Sequence, residues 1–235
     1  MKERGLGFGD GFRQRGQDVS RLEGFSDAAF AFAITLLVVS LEAPTSFEGL
    51  LDVMRGVPAF AVCFATIAWV WSAHYKFFRR FGLQDWLTVV INNALLFVVM
   101  LYVYPLKFMF THFMAMLTGI RPSGLEGMRV SQVGDLFAIY GIGFVAVFGL
   151  LALLNIRAYR LRDELELNAL ERLVTRQEIA RCLLVGSIGL LSIAIALTLP
   201  GAQAGYAGPV YALIGVVEYW VGTHYSRARQ RIAVA

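Results

Sequence analysis

The chain has 235 residues, of which 57% are hydrophobic and 16% charged, against about 25% charge in an average soluble domain. Its apolar residues run in long unbroken stretches rather than amphipathic stripes, which makes the bilayer their solvent and excludes a nucleic-acid-binding module. The formal net charge of +4 therefore bears on membrane topology.

Residues 1–23 alternate charge with glycine, hold no apolar signal-peptide core and read as a polar cytosolic arm. Six apolar stretches follow, at roughly 24–41, 57–75, 86–106, 134–156, 182–199 and 207–225, each near the ~20 residues that span a hydrocarbon core. They predict an all-α membrane protein, with a six-helix transmembrane domain over 24–225 and a basic cytosolic tail over 226–235. Of the 21 Lys and Arg, 17 fall in the arm, the links after spans two and four, and the tail. Only Arg55, Lys107, Arg121 and Arg129 fall on the other side. The bias of basic residues toward the cytosol then puts both termini there.

Between the spans, residues 107–133 read as an irregular outer loop with a breaker at Arg121-Pro122-Ser123-Gly124. The link RLRDELELNALERLVTRQEIAR carries Leu161, Leu165, Leu170 and Leu173 among charges. That pattern predicts an amphipathic helix on the membrane or on a neighbour, or else a solvated helix that only sets topology. Trp69, Trp71 and Trp86 are placed at the inner interface, and Tyr102 and Tyr104 at the outer one, as aromatic belts. Cys63 and Cys182 are expected at opposite ends of the bilayer, too far apart to bridge, as packing residues.

Polar groups at membrane depth are costly and need partners. Asp27, His74 and Asn92 (or Asn93) fall in one layer within roughly 10 Å of the cytosolic surface at 1.5 Å per residue. They suggest a network across three helices, serving as a structural clamp or as a pH sensor or proton relay. Glu218, two turns into the sixth span, also needs a partner, which the sequence does not name. His112 and His224 read as interfacial. No HExxH, CxxC, GxSxG or phosphate loop occurs, so neither an enzyme nor a metal or cofactor is expected. No six-span internal repeat is visible either, which favours a pore built by several copies around an axis.

Span one, RLEGFSDAAFAFAITLLVVSLEAP, is uncharged across the bilayer apart from Asp27 near its inner end. Ala28, Ala29, Ala31 and Ala33 permit close helix approach. At about 100° per residue, Phe25, Phe32 and Val39 share one face, flanked by Thr35 and Leu36, while Asp27 points about 140° away from Phe32. Repeated around an axis, that face would give rings of Phe32, Leu36 and Val39, a neck of the kind that gates by dewetting; taken alone, such a stripe is more often plain helix packing.

Arg21-x-x-x-Phe25-Ser26-Asp27 resembles the R-x-x-x-F-S-D signature that opens the first helix in the transmembrane protein 175 family, the endolysosomal potassium channels and their bacterial relatives. Trp71-Ser72-Ala73-His74 followed by Phe78 resembles that family's W-x-x-H segment, and Asn92 with Pro105 its third-helix asparagine and terminal proline. Together they cover about the first 105 residues in order; spans four to six resemble the family in number and hydropathy only.

The resemblance implies a six-helix subunit and a homotetramer whose first helices line a central pore, permeable to potassium ions and needing no cofactor. It implies a constriction at Phe32, Leu36 and Val39 with the Thr35 hydroxyl nearby, and no carbonyl filter. At Phe32 the chain departs from the family's usual isoleucine or leucine. Arg21, Phe25, Ser26, Asp27, Trp71, His74 and Asn92 would be the network holding helices one to three around the pore. The implied partners are potassium ions, the lipid bilayer and other copies of the chain, and the implied location is the bacterial plasma membrane. A small proton- or ion-coupled transporter using Asp27, His74 and Glu218, and a membrane scaffold, are the alternatives.

Overall fold

The computed structural model describes residues 11–39, 43–122 and 125–234, with side chains as far as Tyr225. The described residues form six α-helices in chain order, α1 (Arg21–Val39), α2 (Phe47–Phe81), α3 (Trp86–Thr118), α4 (Gln132–Arg160), α5 (Ala169–Thr198) and α6 (Leu213–Val234), with two short 3-10 turns, Gly201–Ala207 and Pro209–Ala212, before the last. Five of them, α1 to α5, are long and apolar enough to cross a membrane. The final residues of the first expected span, 40 and 41, and Ser123 and Gly124 of the expected breaker lie outside the described residues.

Helix ends follow local chemistry. At α1 the Ser20 Oγ accepts the Glu23 backbone N–H at 3.1 Å while the Glu23 carboxylate accepts the Ser20 N–H at 2.9 Å, a reciprocal capping box. The same device, from Asn168 and Glu171, opens α5. Ser46 caps α2, and Gly82 ends it in the left-handed region at φ 61°, its N–H returning to the Phe78 carbonyl. With 35 residues, α2 is about 52 Å long, well beyond a hydrocarbon core of about 30 Å.

Three expectations are corrected. The outer loop is shorter than 107–133, because α3 continues past Pro105 to Thr118 and stops where Gly119 adopts φ 71°. Lys107 to Thr118 therefore form three more helical turns, which a proline within a long helix does not prevent when neighbouring elements satisfy the backbone. The charged link does not form a separate helix on the membrane. Its second half is the beginning of α5, and its apolar residues turn inward: Leu167 and Val174 are buried, Leu161, Leu165 and Leu170 pack on the core, and Leu173 is half-buried. Finally, the sixth apolar stretch is not helical from 207. Its first residues form 3-10 turns, and α6 begins at Leu213 and continues to Val234.

The core lies along the seams of α2, α3, α4 and α5. Gly141 on α4 faces Gly189 on α5 so closely that a Cβ at Gly141 would stand 3.2 Å from the Gly189 carbonyl oxygen and 2.5 Å from Ile193 Cγ1. Small residues let the two backbones approach as they do between membrane helices generally. Beside this seam Tyr102 is buried and donates its hydroxyl to the Tyr140 carbonyl at 2.9 Å, so it is a core residue and no part of an outer aromatic belt. Cys63 and Cys182 are both free and buried.

Candidate functional site: the first helix and its polar contacts

Helix α1 buries one side only. Ser26, Phe30, Ala33 and Leu37 pack into the bundle, at the four-then-three spacing of a single helical face. On the opposite side Phe25, Phe32 and Val39 are exposed, Phe32 at 54%. Thr35 is exposed as well, its hydroxyl donating to the Ala31 carbonyl at 2.9 Å. Because that hydrogen is used within the helix, the free side of Oγ1 is an acceptor. Leu36 differs from its neighbours on the sequence-derived stripe: it is half-buried and packs against the core.

The polar residues of the first three helices divide into two groups. One is buried. His74 Nε2 lies 2.7 Å from Asn92 Oδ1, and Asn92 Nδ2 donates to Ser26 Oγ at 3.0 Å, so a single amide joins α1, α2 and α3. An amide oxygen only accepts, so with this amide orientation Nε2 carries the hydrogen. Ser26 Oγ in turn donates to the Leu22 carbonyl at 2.8 Å. The histidine ring packs between aromatic neighbours on two helices, 5.4 Å from Phe30 and 4.7 Å from Phe78.

The second group is exposed. Trp71 donates its indole N–H to Asp27 Oδ1 at 2.8 Å, a second, exposed link of α2 to α1, and Trp71 stacks on Tyr75. Asp27 thus does not meet His74 through a hydrogen bond; the two belong to different contacts. Arg21 and Phe25 lie on the exposed side of α1, apart from both groups.

Glu218, whose partner the sequence leaves open, pairs with Arg181 of α5 at 3.1 Å, and Arg181 also holds Glu178 at 2.9 Å. Sequence reasoning missed the two capping boxes, although Ser20-x-x-Glu23 and Asn168-x-x-Glu171 carry their signature. It also missed Phe12 and Arg15 of the arm, for which a polar glycine-rich stretch offers no periodic signal. No group of three or more His, Cys, Asp or Glu placed to hold a metal occurs among the described residues.

A potassium channel of Marivirga tractuosa is 41% identical over 203 residues, which cover 83% of this chain and 81% of that one. The chain belongs to the TMEM175 family of potassium channels. The family described as endosomal/lysosomal potassium channel TMEM175 matches residues 21–102, the stretch that holds Arg21, Asp27, Trp71, His74 and Asn92. Among solved structures, a crystal structure of a variant of the potassium channel MtTMEM175 in complex with a nanobody–MBP fusion protein superposes with a TM-score of 0.81 at 37% identity, covering 92% of this chain and 97% of that one. A potassium channel of Chamaesiphon minutus is 31% identical over 96 residues, 37% of this chain and 47% of that one. The crystal structure of a TMEM175 homologue from the same organism has a TM-score of 0.54 at 21% identity, over 89% of this chain and 96% of that one, and so shares the fold. The chain is accordingly an integral membrane protein of a channel family and not of an enzyme class.

Proposed function

We propose that the protein is a passive potassium-permeable channel of the plasma membrane, a homotetramer with both termini cytosolic whose α1 helices surround the pore. The observation that carries this reading is the one-sided burial of α1 within its own subunit. A single helix face cannot enclose water, and closed rotational symmetry is the ordinary way for one such face to form a channel. Phe32 and Val39 would form rings across that pore, with Leu36 at its edge, and the hydrophobic neck would gate by dewetting. The acceptor side of the Thr35 hydroxyl would offer a polar oxygen within that apolar stripe to a passing cation.

The buried contact of Ser26, Asn92 and His74 would hold α1 in register against α2 and α3, and Trp71 with Asp27 would pin it at its inner end. A coupled transporter is less well supported: Asp27, His74 and Glu218 are hydrogen-bonded to three separate partners, Trp71, Asn92 and Arg181, and form no connected relay.

Cysteine accessibility tests the pore assignment. Native Cys63 and Cys182 are buried, so a cysteine introduced at Thr35 or Val39 is the reactive one. A water-soluble thiol reagent should block current through Thr35→Cys and Val39→Cys channels and leave the unsubstituted protein unaffected. Unblocked current in both variants after labelling has been verified would remove α1 from the conduction path.

A further inference from the structure

Residues 12–17, ahead of α1, are fastened to the end of α2 and the beginning of α5. Arg15 of the arm reaches Glu171 in the first turn of α5, with Nη1 on Oε1 at 3.1 Å and Nη2 on Oε2 at 2.8 Å, a two-pronged pair with 1% of the glutamate side chain exposed. Its remaining donors go to carbonyls, Nε to Leu165 at 3.0 Å and Nη1 to Arg13 at 3.2 Å. Glu171 also accepts the backbone N–H of Arg13 at 3.0 Å and that of Asn168 at 3.1 Å. Phe12 is buried edge-on to Phe81, with the Arg80 guanidinium 5.2 Å from its ring centre. Gly16 donates to the Arg79 carbonyl at 3.2 Å, and Arg79 Nη1 returns to the Gln17 carbonyl at 2.9 Å. A Cβ on Gly16 would stand 2.6 Å from the Phe78 carbonyl oxygen, so the strap fits its crevice only with glycine there.

Between Gln17, tied to α2, and Ser20, which caps α1, stand only Asp18 and Val19. Three residue steps reach at most about 11 Å. A shift of the α2–α5 end is therefore passed to the start of α1 with little slack. The start of α1 is thus tied through residues 15–17 to α2 and α5.

We propose that the arm is a positioning strap for the conducting helix and that Arg15 is its anchor, biasing the channel toward the open state by holding α1 back from the axis. This rests on the proposed role of α1 in the pore. The test is single-channel recording of full-length Arg15→Gln, Glu171→Gln and the double variant, with hydrogen exchange at residues 20–27 followed in parallel. Each single change should lower open probability about tenfold, the population shift expected for loss of one charge-assisted pair. The double variant should fall no further than either single, and unitary current and reversal potential should be unchanged. Exchange at 20–27 should rise in all three while residues 88–96 of α3 keep their protection. Unchanged or increased open probability in the single variants, or additive losses in the double, would overturn the proposal. Gly16→Ala, which disturbs the strap without touching a charge, should act in the same direction, and its failure to do so would count the same way. Exchange is read without current: if the unsubstituted protein passes no potassium, the channel reading fails, whereas unchanged exchange at 20–27 fails the strap itself.

Discussion

His74 and Asn92 meet at 2.7 Å inside the bundle, where both side chains are almost wholly buried. The same amide carries the Ser26 contact, so one side chain fixes three helices. Removing it strands the His74 ring nitrogen where water cannot reach it and leaves Ser26 only its bond to the Leu22 carbonyl. Asn92→Ala should therefore cost about 1–3 kcal/mol, chiefly through His74. Asp27→Ala should cost less, because Asp27 and Trp71 meet on the exposed side. Thermal unfolding in detergent, comparing the two variants with Trp71→Phe, measures the order; an Asp27→Ala loss exceeding that of Asn92→Ala would show that the exposed contact is the main clamp.

Phe32 is 54% exposed within its own subunit. Truncating it should widen the neck and lower its resistance to wetting, so Phe32→Ala should raise unitary conductance and weaken discrimination of potassium from sodium. Ala33, fully buried on the opposite side, gives the contrast: Ala33→Val overpacks the bundle at about 1–3 kcal/mol without changing open-pore current. Single-channel recording beside a melting curve separates the two, and a less stable Phe32→Ala protein with unaltered unitary conductance would take Phe32 out of the pore.

Acid should release the strap. Burial would raise the Glu171 carboxyl, but the Arg15 guanidinium and the backbone N–H groups of Asn168 and Arg13 outweigh it and hold the group below the ordinary carboxylate value. A carboxyl lowered by folding stabilises the folded contact above the unfolded value of about 4.3, and that contribution is lost as pH falls through the folded value. Protection of residues 11–20 from hydrogen exchange should thus be flat from neutral pH down to the ordinary carboxylate range and be lost only on further acidification. Glu171→Gln should be weakly protected throughout, and an unsubstituted arm protected no better at neutral pH than the Glu171→Gln arm would contradict the assignment.

Long apolar runs made α1 to α5 legible, because a bilayer demands length and composition together. The ends were less so. Pro105 with the basic Lys107 reads as a stop, yet α3 runs on to Thr118, since a proline at membrane depth can be carried inside a packed helix. The link leucines were legible as one apolar face, but not what covers it: Leu161, Leu165 and Leu170 turn onto the core, and hydrophobic spacing says nothing about which apolar surface is nearest. Asp27, His74 and Asn92 could be assigned to one depth, though depth does not give azimuth, and the structure puts Asp27 with Trp71 on the exposed side. Arg15 was silent in sequence because an extended arm has no period, and its partner Glu171 lies 156 residues away.

The central claim is passive potassium permeation, and the most direct measurement is the reversal potential of purified protein reconstituted in liposomes or planar bilayers under a potassium gradient, with no proton or counter-ion gradient applied. Current should flow and reverse near the potassium equilibrium potential. No current, or flux that appears only when a proton or second ion gradient is imposed, would contradict the account.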